Sequence, residues 1–265
     1  MTNRRSFLKQ ATLASAPFIL PSHIWAAKGD NSPNNRINIA IIGPGKMGRG
    51  HANFLVRNPR VQLTGFAEIA DVRTKHTKEL IEKHYSKNTP GKKWKGLKIT
   101  KNYLELLEDK SLDAVLIATP DHWHGEATIR AARAKKHVYC EKPISLTIKE
   151  GRAMANAVKE NKIVFQTGSQ QRTQYGGKFR RTVEMVRSGA IGELKKIRVC
   201  VGNPPVPCDL PTEPIPDGID WDAWQGPAPV RGYNKILCPD DVHNHFPAWR
   251  RYREYCNGGL ADMGA

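Results

Sequence analysis

Several things are scarce in this sequence. Five cysteines in 265 residues are too few for a disulfide scaffold. Long apolar runs are missing: none nears the roughly 20 residues that a membrane-spanning helix needs. Neither the 22 glycines nor the 18 prolines recur with a period, which excludes collagen-like and other low-complexity fibres. Acidic residues are short as well, with 25 Asp and Glu against 42 Lys and Arg and a formal net charge of +17. What is present is 39% hydrophobic, too apolar for a disordered chain and enough for one or two packed domains.

The positive excess is uneven. Residues 1–145 hold 25 Lys and Arg against 12 Asp and Glu. Part of it lies in Lys83–Lys101, which includes Lys92, Lys93, Lys95 and Lys98. Nucleic-acid readers set such charge among aromatics or in a known motif, and here only Tyr85 and Trp94 are near. The run reads as a solvated loop, with no nucleic-acid partner. Attraction of an anionic cofactor or substrate is the electrostatic use left to it.

Asn3-Arg4-Arg5-Ser6-Phe7-Leu8-Lys9 precedes the short apolar run 11–20, and Ala26-Ala27 follow. A charged start, an apolar core and a small-residue exit make residues 1–27 an export signal. The paired arginines resemble a twin-arginine signal, although Asn3 stands where Ser or Thr is usual. The expected location is the periplasm or outside the cell. Residues 28–35 read as a linker.

Residues 36–168 read as an α/β domain. Arg36–Ile42 is β-branched and almost continuously apolar, as a strand buried on both faces should be. Gly43-Pro44-Gly45-Lys46-Met47-Gly48 follows directly and has the form G-x-G-x-x-G. Gly43 permits the tight turn, Gly45 lets backbone approach a pyrophosphate, and Gly48 lets the next helix pack closely. That helix, beginning near Lys46, offers N-terminal N–H groups to phosphate. A second strand, Val61–Ala67, ends at Glu68, an acid placed to accept from adenosine ribose hydroxyls and to repel a 2′-phosphate. NAD is therefore favoured over NADP, with Arg73 arguing the other way. Strands over 113–119, 137–140 and 163–167 alternate with helices over 125–135 and 147–161, predicting a doubly wound parallel sheet. Gly43, Glu68, Thr119 and Glu141-Lys142 then fall at the carboxyl ends of strands, where such sheets bind ligands.

The loop Gly43–Gly48 together with Thr119-Pro120-Asp121-His122-Trp123-His124 and Glu141-Lys142-Pro143 resembles the Gfo/Idh/MocA oxidoreductases. So do Gln170-Gln171-Arg172, Trp221–Pro229 and the run 258–265, which are similar to a secreted, sugar-acting branch. The resemblance implies a Rossmann-type domain followed by an α+β domain, here incomplete, with an open mixed sheet. It implies that Lys142 transfers a proton at a substrate hydroxyl and that Asp262 assists. A lysine acting as base needs its pKa lowered by burial or a nearby cation. Glu141 and residues 119–124, among them Thr119, Pro120, His122 and His124, would contact cofactor with Lys46, Met47 and Gln171. A homo-oligomer is implied for the whole protein.

Residues 169–265 are less periodic. Phe179–Ser188 reads as an amphipathic helix ended by Gly189, and Glu193–Val201 as a strand. Residues 203–220 are proline-rich and irregular, a length often given to function or interfaces. His245, Trp249 and Arg250, like Arg172, are candidates for a sugar or polyol, with aromatics stacking on the ring and cations bonding its hydroxyls. No metal is expected, since His122 and His124 lack a third ligand nearby. One disulfide among Cys200, Cys208, Cys238 and Cys256 stays open, and Cys140 reads as a small buried hydrophobe. The family has a histidine four residues after its aspartate and continues further, so the chain reads as a piece of a longer protein. Three functions compete: an NAD-dependent sugar or polyol dehydrogenase, a glycosidase that recycles tightly held NAD through oxidation and elimination, and a non-catalytic dinucleotide-binding fragment.

Overall fold

The first strand sets the architecture. The computed structural model describes residues 36–87, 96–172 and 175–264. The export signal, the linker and the lysines at 92, 93 and 95 lie outside them. Ile37–Ile42 forms β1, and its apolar run is buried between parallel neighbours, β2 (Val61–Ala67) and β4 (Ala114–Ile117). Beyond β2 lies β3 (Lys98–Thr100), and beyond β4 lie β5 (His137–Glu141) and β6 (Phe165–Gly168). The six parallel strands run in the order β3-β2-β1-β4-β5-β6. This is the doubly wound Rossmann order, with the direction of winding reversing between β1 and β4. The doubly wound reading of residues 36–168 holds.

Helices cover both faces. On one, Ile42, Ile117, Val138 and Cys140 pack against small residues of α4 (His124–Arg133) and α5 (Ile148–Asn161), chiefly Ala127, Ala131 and Ala157. On the other, Ile41, Leu63, Phe66 and Leu116 meet Ala52 and Leu55 of α1 (Lys46–Leu55) and Ile81 of α2 (Asp71–Lys87). A single turn, α3 (Leu104–Leu107), adds Leu106 and Leu107 beneath the sheet. The start of α5 is fixed by a capping box. The Thr147 hydroxyl accepts from the Glu150 N–H at 3.1 Å, and the Glu150 carboxylate accepts from the Thr147 N–H at 3.0 Å.

The second half departs from expectation at one element. Glu193–Val201 forms no strand: Glu193–Cys200 are exposed, and no described strand lies beside them to complete a ladder. A β-branched run needs a partner before it becomes a strand. The expected helix does form, as α6 (Lys178–Arg187), with Gly189 at φ +75° just beyond it. The proline-rich segment is anchored through its backbone. Arg231 donates to the Cys208 and Leu210 carbonyls at 3.0 and 2.9 Å, and Val206 bridges Tyr252. Behind it Trp221 stacks on Trp224 within α7 (Trp221–Gln225), with ring centres 4.8 Å apart, in a cluster that includes Tyr233, Trp249 and Tyr255. A last helix, α8 (Gly258–Gly264), carries Asp262. All five cysteines are unpaired, and Cys140 is a fully buried core residue. No helix among the described residues is long and apolar enough to cross a membrane.

Candidate active site

A cleft of about 840 Å³ opens where β1, β2, β4 and β5 end. Its floor is the glycine loop. Gly43 has φ +78°, and a Cβ there would lie 2.8 Å from the Thr119 methyl. A Cβ on Gly48 would lie 2.6 Å from the Gly43 carbonyl oxygen, so Gly48 supports the loop from beneath and does not line the cleft. At Gly45 a Cβ would meet nothing within 4 Å. From there α1 starts with no side-chain cap and no acid in its first turn. Its first N–H groups lack intrahelical partners and favour an anion. Gly45, Lys46 and Met47 line this end of the cleft.

Glu68 stands at the end of β2, as its position in the sequence suggested. Its Oε1 accepts from the Ala70 N–H and from Arg73 Nε, both at 3.0 Å. Arg73 also donates to the Pro239 carbonyl at 2.7 Å, and Arg49 donates to the His243 carbonyl at 2.5 Å. The two arginines thus tie the loop 238–243 over the Glu68 end of the cleft. Arg73, the residue that spoke for NADP, has its guanidinium engaged by an acid and a carbonyl.

At the other end Lys142 follows β5. Its ammonium donates to Asp262 Oδ1 at 2.7 Å and to the Asp262 carbonyl at 2.5 Å. The two side chains are only 16% and 20% exposed, which sets them apart from a surface ion pair. Arg250 Nε lies 4.0 Å from the same Oδ1, and its guanidinium sits over the Trp249 and Phe246 rings at 4.1 and 4.9 Å. The neighbouring Glu141 is buried. Its Oε1 accepts from His51 Nε2 at 2.5 Å and from the Gln170 amide. Thr119, Pro120, His124, Glu141, Gln171, Trp249 and Arg250 all line the cleft with Lys142 and Asp262.

The residues fit a nicotinamide dinucleotide. The open space at Gly45 and the uncapped start of α1 suit a pyrophosphate. Glu68 would accept from ribose hydroxyls. The buried Thr119 Oγ1, unpartnered among the described residues, supplies a further polar contact inside the cleft. Among those residues no group of three or more His, Cys, Asp or Glu side chains could hold a metal ion.

Two further candidates stand apart from the cleft. His245 is exposed and does not line it. His122 is buried behind the wall, with Nε2 3.0 Å from the Trp224 carbonyl and Nδ1 unpartnered among the described residues. Trp123 Nε1 donates to the same carbonyl at 2.9 Å. Burial pushes the His122 pKa down from 6.5 to about 4. As pH falls through that window the unfolded chain takes the proton first. Stability is therefore lost on acidification, by on the order of 3 kcal/mol below pH 4. Replacing His122 with Gln, which keeps a donor for the Trp224 carbonyl, should flatten this dependence in urea titrations at pH 7, 5.5 and 4. The side chain of Arg172 lies outside the described residues.

Sequence reasoning passed over Arg49 and Tyr103, and took Asp121 only as one member of the run 119–124. Asp121 lines the cleft at 3% exposure, and burial raises its pKa to about 6. Its one signal was its place between a strand end and a helix. Tyr103 lines the cleft because it follows β3, a three-residue strand hidden in a lysine-rich stretch.

A Rossmann sheet, a glycine loop at its switch point, and a partly buried lysine–aspartate pair in the same cleft define a site suited to a dinucleotide. Residues 37–169 match the model of the Gfo/Idh/MocA oxidoreductase family, NAD-binding Rossmann fold. Residues 205–265 match that family's C-terminal alpha/beta domain. The chain belongs to the Gfo/Idh/MocA family. It is 31% identical over 176 residues to a myo-inositol 2-dehydrogenase of Thermotoga maritima, covering 65% of this chain and 48% of that one. It is 26% identical over 211 residues to a glycosyl hydrolase family 109 protein of Shewanella pealeana, covering 72% and 44%. The fold matches a scyllo-inositol dehydrogenase of Lactobacillus casei, solved with NAD(H) and scyllo-inositol, at TM-score 0.50 and 24% identity over 60% of this chain and 43% of that one. The chain spans about half the length of the curated relatives it matches.

Proposed function

We propose that the protein to which this chain belongs oxidises a secondary hydroxyl of a sugar or polyol, with Lys142 as the proton acceptor. The observation that carries this reading is the Lys142–Asp262 pair, sequestered at the cleft end opposite Glu68. A bound nicotinamide dinucleotide supplies the hydride acceptor. Lys142 must first release its ammonium proton; Nζ as the free amine then takes the hydroxyl proton as the C–H bond breaks, and Asp262 holds that nitrogen in place. Arg250, over Trp249 and Phe246, offers hydrogen bonds to further hydroxyls, and the rings offer an apolar face. The test is the appearance of NADH absorbance when NAD is mixed with a panel of inositols, hexoses and polyols. No turnover across the panel by a protein that binds NADH would count against it.

The cofactor is proposed to be NAD rather than NADP, because Glu68 is buried and its partner Arg73 is spent on it. Glu68→Ala should narrow the NADH-over-NADPH preference by about tenfold, on the order of 1.4 kcal/mol, as read by fluorescence titration. An unchanged ratio would place the selectivity elsewhere. The likeness to a glycosyl hydrolase favours a second reading, a glycosidase that oxidises, eliminates and reduces on one retained cofactor. It predicts cleavage of a glycoside with no net NADH. Residues 1–27 support export by the twin-arginine route, tested by loss of periplasmic protein when Arg4 and Arg5 become lysine. Self-association of the whole protein is proposed on family grounds, and sedimentation tests it.

A further inference from the structure

We infer that His124 is held as an imidazolium that clamps the loop after β4 to the loop after β5, and so positions Lys142. The inference rests on the oxidoreductase reading for its consequence and on ring geometry for its substance. His124 is 1% exposed. Its Nδ1 lies 2.6 Å from the Pro143 carbonyl oxygen, and its Nε2 lies 3.0 Å from the Thr119 carbonyl oxygen. A neutral imidazole has one N–H and one lone pair. With an acceptor on each side, the neutral ring must turn its lone pair on a carbonyl oxygen at hydrogen-bond distance. Only the doubly protonated ring satisfies both.

The surroundings decide whether a buried cation is tolerable. Desolvation opposes it, and so does its position at the first residue of α4, where the helix dipole is positive. Against these stand the Cys140 sulfur on β5, the Asp121 carboxylate in the turn just before α4, and the Pro143 carbonyl. Together they outweigh burial and raise the ring's pKa to about 10. Of the other groups nearby, His122 is neutral, since its own pKa is depressed to about 4. Arg250, Asp262 and the Cys256 thiol act on Asp121.

The two carbonyls belong to the pieces of chain that build opposite sides of the site. Thr119 backs the glycine loop through its contact with Gly43, and Pro143 follows Lys142 directly. One side chain spans both. His124 is thus a positioning residue: both ring nitrogens are taken up by backbone carbonyls, and the ring fixes the distance between the Gly43 floor and the lysine.

The direct test is a long-range proton–nitrogen spectrum of the full chain labelled in its nine histidines, recorded from pH 6 to 8. The His124→Gln spectrum identifies the His124 signals. Two protonated-type nitrogens that do not titrate across this range are expected. A lone-pair-type nitrogen on His124 at pH 7 would overturn the inference. Binding gives the second arm. His124→Gln keeps a donor for one carbonyl only, and should weaken NADH binding about tenfold while wild type binds well. Wild-type affinity in a folded variant also overturns the clamp. If wild type itself fails to bind NADH while His124 stays doubly protonated, the cofactor reading falls and the imidazolium stands.

Discussion

Lys142→Ala should lower turnover by about 10³-fold while NADH binding stays within about twofold of wild type. General acid–base groups contribute typically about 10²–10⁴ in rate, and here no second group is placed to take over. Asp262 loses the lysine but keeps the Arg250 guanidinium 4.0 Å from its Oδ1, Arg250 cannot serve as a base, and Glu141 is engaged by His51 and Gln170. Binding is spared because the parts that suit a dinucleotide, the Gly43–Gly48 loop and Glu68, lie at the other end of the cleft. Lys142→Arg should be as inactive as Lys142→Ala, since a guanidinium keeps its protons at any working pH. Asp262→Asn should fall between, because it keeps a carbonyl oxygen for Nζ but leaves Lys142 and Arg250 as two cations with no anion between them. The measurement is stopped-flow NADH formation with the best substrate of the panel, alongside an NADH titration. A Lys142→Ala protein with a tenth or more of wild-type turnover would remove the lysine from the mechanism. Equal loss of turnover and NADH affinity would instead make it a binding residue.

The parallel sheet was legible because its strands are buried on both faces. Runs such as Ile39–Ile42 and Val115–Ile117 have no reason to be apolar on successive residues unless both sides are covered. The glycine loop was legible because two of its glycines answer to local sterics at Gly43 and Gly48. What failed to show was long-range. β3 has three residues, exists by pairing with Gly65–Ala67, and looked like part of a charged loop. Glu193–Val201 has strand character, yet without a neighbour it stays unpaired. His122 has the same spacing credentials as His124 for contacting cofactor. The difference between them is the Trp224 carbonyl, 102 residues away, which draws one ring behind the wall. His124 meanwhile binds the carbonyl of Thr119 on its own loop and that of Pro143, supplied by the next strand–helix unit. Local sequence can place a residue at a strand end, but the surface it turns toward belongs to elements far along the chain. The arginine anchors show the same limit: Arg49 and Arg73 sit in ordinary helices, and only the returning loop 238–243 gives them their partners.

Gly45→Val should separate folding from cofactor binding more cleanly than any other change in the glycine loop. Gly45 has φ −65°, open to every residue, and its Cβ direction leads into empty space. The variant therefore has no clash to relieve, and its one cost to the fold is a poorer N-cap residue for α1, about 1 kcal/mol. The same open space is where a pyrophosphate would approach the start of α1. The added isopropyl group there should cut NADH affinity by at least about tenfold. Gly48→Ala is the contrast. Its Cβ would lie 2.6 Å from the Gly43 carbonyl, a backbone atom with nowhere to go. It should destabilise the fold by about 1–3 kcal/mol and weaken binding as a consequence of the shifted loop. Urea unfolding and NADH fluorescence titration on the two variants read both quantities. If Gly45→Val binds NADH like wild type, the cleft floor is not where the phosphates lie. If it unfolds earlier than the lost cap explains, the space is not as free as the backbone geometry makes it. Loss of binding with the fold intact at Gly45, beside loss of both at Gly48, would show that the first glycine is kept for the ligand and the second for the protein.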